Sequence, residues 1–209
     1  MKSSQEHLAA PSDHGPISVD TPLRLGVVVG STRPGRRAPA VAAWAAQVAA
    51  AHLQDVAVDL RTLDLAEFGL PLLDEPVPAA FGEYAHTHTR RWAEAVAACD
   101  GFLFVTPEYN HSLPAALKNA LDFLHAEWHD KAAGIIGYGV AGGVRAIEHL
   151  RQVLAELQVA DVRTAATLSL SADFTGDAFT PRAHQADQVR RLTDEVCAWS
   201  RGLHSLRAR

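Results

Sequence analysis

The stretch Thr106-Pro107-Glu108-Tyr109-Asn110-His111-Ser112-Leu113-Pro114 follows a fully apolar run, Phe102 to Val105, and leads into Leu113, Leu117, Leu121 and Leu124 at helical spacing. A buried strand therefore ends in a polar, aromatic loop and restarts as an amphipathic helix, with Ser112 expected as its N-cap and Pro114 in its first turn. Two further loops share this setting. Gly30-Ser31-Thr32-Arg33-Pro34-Gly35-Arg36-Arg37 combines helix-initiating amides, hydroxyls and guanidinium groups, a set that suits a cluster of anionic oxygens. It lacks both the Lys-Ser/Thr ending of a P-loop and the Gly-x-Gly-x-x-Gly of the dinucleotide fingerprint. Gly137-Tyr138-Gly139-Val140-Ala141-Gly142-Gly143-Val144-Arg145-Ala146 is glycine-rich, which lets a flat ligand approach backbone amides closely.

Such loops need strands that hold them side by side. Leu23 to Gly30 reads as a first strand, and the helix from about Pro39 to His52 has Val41, Trp44 and Val48 on one face. Val56 to Leu63 alternates apolar and polar residues, as a half-exposed edge strand does. A Pro-rich loop, Pro71 to Pro78, carries Leu72-Leu73-Asp74-Glu75 and precedes a helix containing Tyr84, Trp92 and Val96. After the Phe102 to Val105 strand, the helix ends near Glu127, and Ala132 to Tyr138 forms a fourth strand. Val144, Ile147, Leu150, Leu154 and Leu157 stripe the next helix, Val162 to Leu170 is the last strand, and Val189, Leu192, Val196, Trp199 and Leu203 stripe a closing helix. Strands alternating with helices over short connections imply a doubly wound α/β fold, a five-stranded parallel sheet with helices on both faces. Ligands in such sheets bind at the strands' carboxyl ends, near the switch in strand order.

At 209 residues and 48% hydrophobic content the chain can bury one substantial core. The expected layout is a disordered extension over residues 1–22, one domain over 23–203 and a basic tail over 204–209. A net charge of -5 gives no reason to expect nucleic-acid binding, and no apolar run approaches the ~20 residues of a membrane helix. The extension has no apolar centre of the kind secretory signals carry, so a cytoplasmic protein is expected. Cys99 and Cys197 sit far apart in apolar helical patterns and read as buried reduced thiols. His86 and His88 are two apart on the predicted helix and so do not share a face; no histidine has metal-ligand spacing, and no metal site is assigned.

The chemistry that fits three such loops is flavin chemistry. A mononucleotide phosphate suits Ser31, Arg33 and Arg36, an isoalloxazine ring suits Pro107 to Asn110, and the Gly142-Gly143 backbone can stabilise negative charge on the reduced ring. No general base is then required. Ser31 and Ser112 lack a Gly-x-Ser-x-Gly elbow, so an acyl-transfer site is not supported. Glu108 reads as an organising or solvated carboxylate, and His111 either lies on the loop surface or contacts substrate.

With these loops in hand, the chain resembles the NADPH-dependent FMN reductase family of flavodoxin-like proteins, which includes quinone, azo-dye and chromate reductases. The match runs roughly from residue 23 to 170 and is specific at Gly30 to Arg36, at Thr106 to Pro114 and through Leu117-Lys118-Asn119-Ala120-Leu121-Asp122. Leu72 to Pro76 and His86-Thr87-His88-Thr89-Arg90-Arg91-Trp92 look like a branch of the same family, without a role attached. The resemblance implies strand order 2-1-3-4-5, tightly bound noncovalent FMN, NADPH or NADH as electron donor, a small-molecule acceptor, ping-pong exchange, and a homodimer or homotetramer with the flavin near a subunit interface. It assigns Ser31, Arg33 and Arg36 to the phosphate, Pro107, Glu108, Tyr109 and Asn110 to the ring's frame, and Gly142 and Gly143 to its pyrimidine side. Members often carry a serine in the third loop where this chain has Val140 and Ala141, which shifts ring binding toward main-chain donors. The alternative is a flavin-carrying electron-transfer or regulatory module with a protein partner. The arginine-bearing first loop and modest charge argue against it, since electron-transfer flavodoxins favour Ser/Thr-rich first loops and strongly acidic surfaces. A fold that has lost its cofactor and serves as a binding protein is the third reading.

Overall fold

Leu23, Leu25, Val27 and Val29 pack into one core and Val28 into another, and none of them is more than 1% exposed. A strand apolar on both faces belongs at the centre of a sheet covered on both sides. The computed structural model, which describes residues 22–207, has it there. Strands β1 (Leu23–Val29), β2 (Val58–Asp64), β3 (Gly101–Pro107), β4 (Lys131–Gly139) and β5 (Val159–Ser169) form one parallel sheet in the order β2-β1-β3-β4-β5. The order expected from the resemblance is therefore the order found, and the half-exposed second strand is at the edge.

The helices are α1 (Ala38–His52), the single-turn α2 (Leu65–Phe68), α3 (Thr87–Ala97), α4 (Ala115–Asp122), α5 (Val144–Glu156) and α6 (Ala183–Arg207). Helices α1 and α6 close over Leu25, Val27, Val105 and Ile136. On the opposite face α3, α4 and α5 cover Phe102, Phe104 and Ile135. Trp92 and Trp128 fill that second core, with Trp128 edge-on to Phe102 at 5.0 Å and to Trp92 at 5.8 Å.

Several sequence expectations are corrected. Pro114, not Ser112, caps α4, because the preceding turn closes at Ser112 and its hydroxyl pairs instead with His149 Nδ1 at 2.9 Å. Tyr84 precedes α3, and His86 is its extended N-cap, so helical spacing does not govern the two histidines. Their rings stack at 5.2 Å and 9°, both against Asp74. Trp44 packs edge-on against Phe179 as a core-facing residue, but Trp199 is 50% exposed, at the margin of the stripe made by Val189, Leu192, Val196 and Ser200. Residues 204–207 are not a tail beyond the domain. Helix α6 continues through Arg207, whose guanidinium donates to the Asp130 carbonyl at 2.7 Å and pairs with Asp100 at 3.3 Å. The expected extension lies, apart from Pro22, outside the described residues, as do Ala208 and Arg209. Cys99 and Cys197 are free and buried, as expected. Among the described residues no helix is long and apolar enough to cross a membrane, and no three His, Cys, Asp or Glu side chains are grouped to hold a metal ion.

Besides the single-turn α2, one element was not expected from the sequence, a hairpin of β6 (Phe174–Thr175) and β7 (Ala178–Phe179) between β5 and α6. Asp173, with a fully buried side chain, anchors its base. It accepts hydrogen bonds from the Ser169 amide, the Arg182 amide and side chain, and Gln185. Burial pushes its carboxyl up, but the Arg182 side chain, the two backbone amides and the Arg182 charge outweigh that and hold it down at about 2, against 3.8 ordinarily. A depressed native pKa means that the unfolded chain takes up the proton first, so the contribution is intact above pH 4 and fades as pH falls from about 4 toward 2. Asp173→Asn is expected to lower the melting temperature by a few degrees at pH 7, and the gap from wild type should shrink as melts are taken down to pH 3. A constant gap would contradict this account.

Candidate functional site

Strand β1 lies between β2 and β3, so the chain leaves β1 in one direction and β3 in the other, opening a crevice at their carboxyl ends. The Gly30 amide donates to the Val105 carbonyl at 2.9 Å before the first loop turns away. That loop leads into α1, whose N-cap, Arg37, provides no side-chain acceptor; Pro39 has no N–H, so the first turn offers the Ala38 and Ala40 amides.

The three arginines that look alike in sequence differ in the fold. Arg33 is exposed and makes no ion pair among the described residues. Arg36 is held by Asp64 at 2.6 Å, where β2 ends. Arg37 donates to the Asp177 carboxylate and the Gly176 carbonyl, each at 2.9 Å. Ser31 is fully buried, and its hydroxyl sits 2.9 Å from the Tyr109 hydroxyl, tying the first loop to the one after β3.

The loop after β3 is tied in turn to the loop after β4. The Glu108 amide donates to the Tyr138 carbonyl at 2.9 Å, and the Glu108 carboxylate accepts from the Arg145 amide at 3.1 Å while pairing with the Arg145 guanidinium. Burial pushes this carboxyl up, yet the Arg145 side chain, amide and charge prevail and keep it below the usual carboxylate range. Glu108 is thus an ionised brace, 5% exposed, and not a proton donor. Tyr109 and Ser112 exchange backbone hydrogen bonds at 2.9 and 3.1 Å around Asn110 and His111, whose φ angles are +47° and +75°. Two consecutive left-handed residues make a primed turn, and non-glycine residues in that region mark strain of the kind concentrated at functional loops.

These contacts surround a cavity of about 210 Å³ walled by Arg33, Gly35, Arg36 and Arg37, floored by Pro107, Glu108 and Tyr109, and closed by Tyr138, Gly139, Leu170 and Asp177. Tyr138 is 5% exposed, and its hydroxyl lies beside the Ala38 amide without a well-formed hydrogen bond. Burial raises its pKa, so it stays protonated and can satisfy itself on a polar group of a ligand. An unpaired guanidinium, uncapped helix amides and an orphan hydroxyl around one cavity fit a phosphorylated ligand.

A family model described as NADPH-dependent FMN reductase matches residues 23–173. The chain belongs to that family. The NAD(P)H-dependent FMN reductase LOT6 of Saccharomyces cerevisiae is 39% identical over 145 residues, 66% of this chain and 76% of that protein. A 2-hydroxy-1,4-benzoquinone reductase of Burkholderia sp is 36% identical over 144 residues, 66% of this chain and 73% of that protein. Among solved structures, an oxidoreductase from Corynebacterium diphtheriae superposes with a TM-score of 0.68 at 18% identity, over 86% of this chain and 97% of that one, a likeness of fold. The protein is an oxidoreductase, and the family favours this over the electron-transfer or regulatory module.

For a member of the FMN reductase family, the expected residues fall into two groups. Arg33, Arg36, Pro107, Glu108 and Tyr109 line the cavity. Ser31 lies behind it as a brace, while Asn110 and His111 form the turn at its side, with His111 Nδ1 3.4 Å from Arg145 Nη1. Gly142 and Gly143 are buried, at φ +74° and +75°, and Gly143 starts α5. Tyr138, Arg145 and Asp177 were missed. Tyr138 stood between two glycines at a strand end, a visible signal, but nothing local marks Asp177 or Arg145 as partners of residues 140 and 37 positions away.

Proposed function

We propose that the crevice at the ends of β1, β3 and β4 holds FMN noncovalently, accepts reducing equivalents from NADPH or NADH, and passes them to a small acceptor such as a quinone, an azo compound or free flavin. The observation that carries this is the tethering of three strand-end loops, through Ser31–Tyr109 and Glu108–Arg145, around a cavity that presents an unpaired Arg33. FMN, when bound, supplies the hydride chemistry. Arg33 and the first-turn amides of α1 would hold its phosphate, with Arg36 contributing if it leaves Asp64. Pro107 to Asn110 would lie along the ring, with Asn110 facing its polar edge, and the Gly142-Gly143 turn would bring backbone close to the pyrimidine side. The ionised Glu108 keeps Arg145 and the start of α5 in register with that platform. Donor and acceptor would use one face in turn, in ping-pong order, with His111 beside the entering acceptor.

The same reading has a cytoplasmic enzyme, consistent with two buried free thiols, and a homodimer or homotetramer, for which a groove of about 620 Å³ between α4 and α5 offers an apolar face at Leu113, Val153 and Leu157. The test is the visible spectrum of the purified protein, before and after FMN and then NADPH without oxygen, followed by a benzoquinone. Flavin bands that bleach with NADPH and return with the quinone are expected. A protein that neither carries nor binds FMN would end this reading.

A further inference from the structure

We propose that Asp177, at the tip of the β6–β7 hairpin, governs how tightly the site holds a phosphate monoester by competing with it for Arg37. The inference rests on the reading that the crevice takes FMN. Arg37 starts α1 and lines the same cavity as Arg33, Gly35 and Arg36, so its guanidinium is within the region where a phosphate would meet the helix amides. All of its observed contacts instead come from the hairpin. Nη2 donates to Asp177 Oδ1 and to the Gly176 carbonyl, and the guanidinium lies over the Phe174 ring at 5.2 Å.

The hairpin is a fixed arm. Phe174 is 7% exposed, packs on Phe179 and Tyr138, and follows directly on the buried Asp173 anchor. Its tip is different, since the Asp177 side chain is fully exposed, lines the rim of the cavity and pairs there with Arg37. A carboxylate there acts twice against a phosphate dianion: it occupies one of the few cations in reach, and its own charge repels the ligand. The remaining charges of this wall do not cancel it, because Arg36 is committed to Asp64 and only Arg33 stands unpaired. Asp177 is thereby a determinant of affinity for the phosphate end of the ligand alone, and it leaves the ring platform untouched.

The prediction separates FMN from riboflavin, which carries the same ring without the phosphate. Dissociation constants for both are measured by flavin fluorescence at low ionic strength for wild type, Asp177→Asn, Arg37→Ala and the double variant. Exposed ion pairs of this kind are weak, so Asp177→Asn is expected to tighten FMN about three- to fivefold and leave riboflavin unchanged. The gain should vanish in the Arg37→Ala background, where there is no guanidinium to release. Unchanged or weaker FMN binding in Asp177→Asn would overturn the proposal, as would an equal gain without Arg37, which would leave simple repulsion and no competition. A wild-type protein that binds FMN no better than riboflavin would remove the phosphate site itself, and this proposal with it. Phosphate-dependent binding that ignores Asp177 would remove only the proposal.

Discussion

Gly143→Ala is expected to lower stability by about 3 kcal/mol and to release FMN, although the substitution adds one methyl group. At φ +75° a Cβ on residue 143 would come within 2.5 Å of the Tyr138 amide nitrogen and 2.8 Å of the Gly137 carbonyl carbon. Both are backbone atoms near the carboxyl end of β4, held between β3 and β5, with no flexible end to move aside. Relief would require shifting the start of α5, and with it the Arg145 amide that holds Glu108, so the ring platform and the fold should suffer together. Gly35→Ala is the control, since its φ is +68° but nothing lies within 4 Å of the added carbon. It carries only the conformational cost, about 1 kcal/mol. Melting curves of the two variants give the stability comparison and FMN fluorescence of Gly143→Ala the loss of binding, and a Gly143→Ala protein that melts with Gly35→Ala would show that the turn yields more easily than its contacts indicate.

The contrast between these glycines also shows what a sequence reveals of such a site. Phe102 to Val105 and the alternating Val56 to Leu63 segment identify a central and an edge strand because burial on two faces or one dictates residue type directly. Three strand-to-helix loops with glycine, hydroxyl and arginine content then have to meet, since parallel strands put all their carboxyl ends on one side. Pairing across the fold is another matter. Arg33, Arg36 and Arg37 are equivalent by composition, and they become a free cation, a partner of Asp64 and a partner of Asp177 only through residues 28 and 140 positions away. The Asn110-His111 turn escaped for a similar reason: asparagine and histidine are among the residues that tolerate a left-handed backbone, but without a following glycine their types do not require it, and the Tyr109 and Ser112 pairing that imposes it is a contact of the fold. The hairpin was legible in principle. Gly176-Asp177 between short apolar flanks is a recognised turn signal, but strands of two residues are too short for any periodicity to show.

That difference among the arginines leads to an expected division of effects. Arg33→Ala should weaken FMN binding about 10- to 100-fold, the worth of a charge-assisted contact to a phosphate, while leaving the melting temperature of the flavin-free protein where it was. Adding Asn110→Ala, which also removes a polar contact at the ring's edge, should abolish retention. Arg36→Ala should do the reverse. Its partner Asp64 has a side chain only 13% exposed and caps α2 through the Ala66 amide at 3.0 Å, so loss of the guanidinium strands a carboxylate at the end of β2 and should cost about 1–2 kcal/mol of stability with a smaller change in FMN affinity. Riboflavin binding distinguishes a phosphate effect from a general loosening, because only the FMN constant should move in Arg33→Ala. Equal FMN losses in the two single variants, with riboflavin unchanged, would mean that the phosphate draws Arg36 away from Asp64. The cation supply of the site would then be set by ligand competition at both Asp64 and Asp177, with Arg33 merely the one arginine that has no competitor.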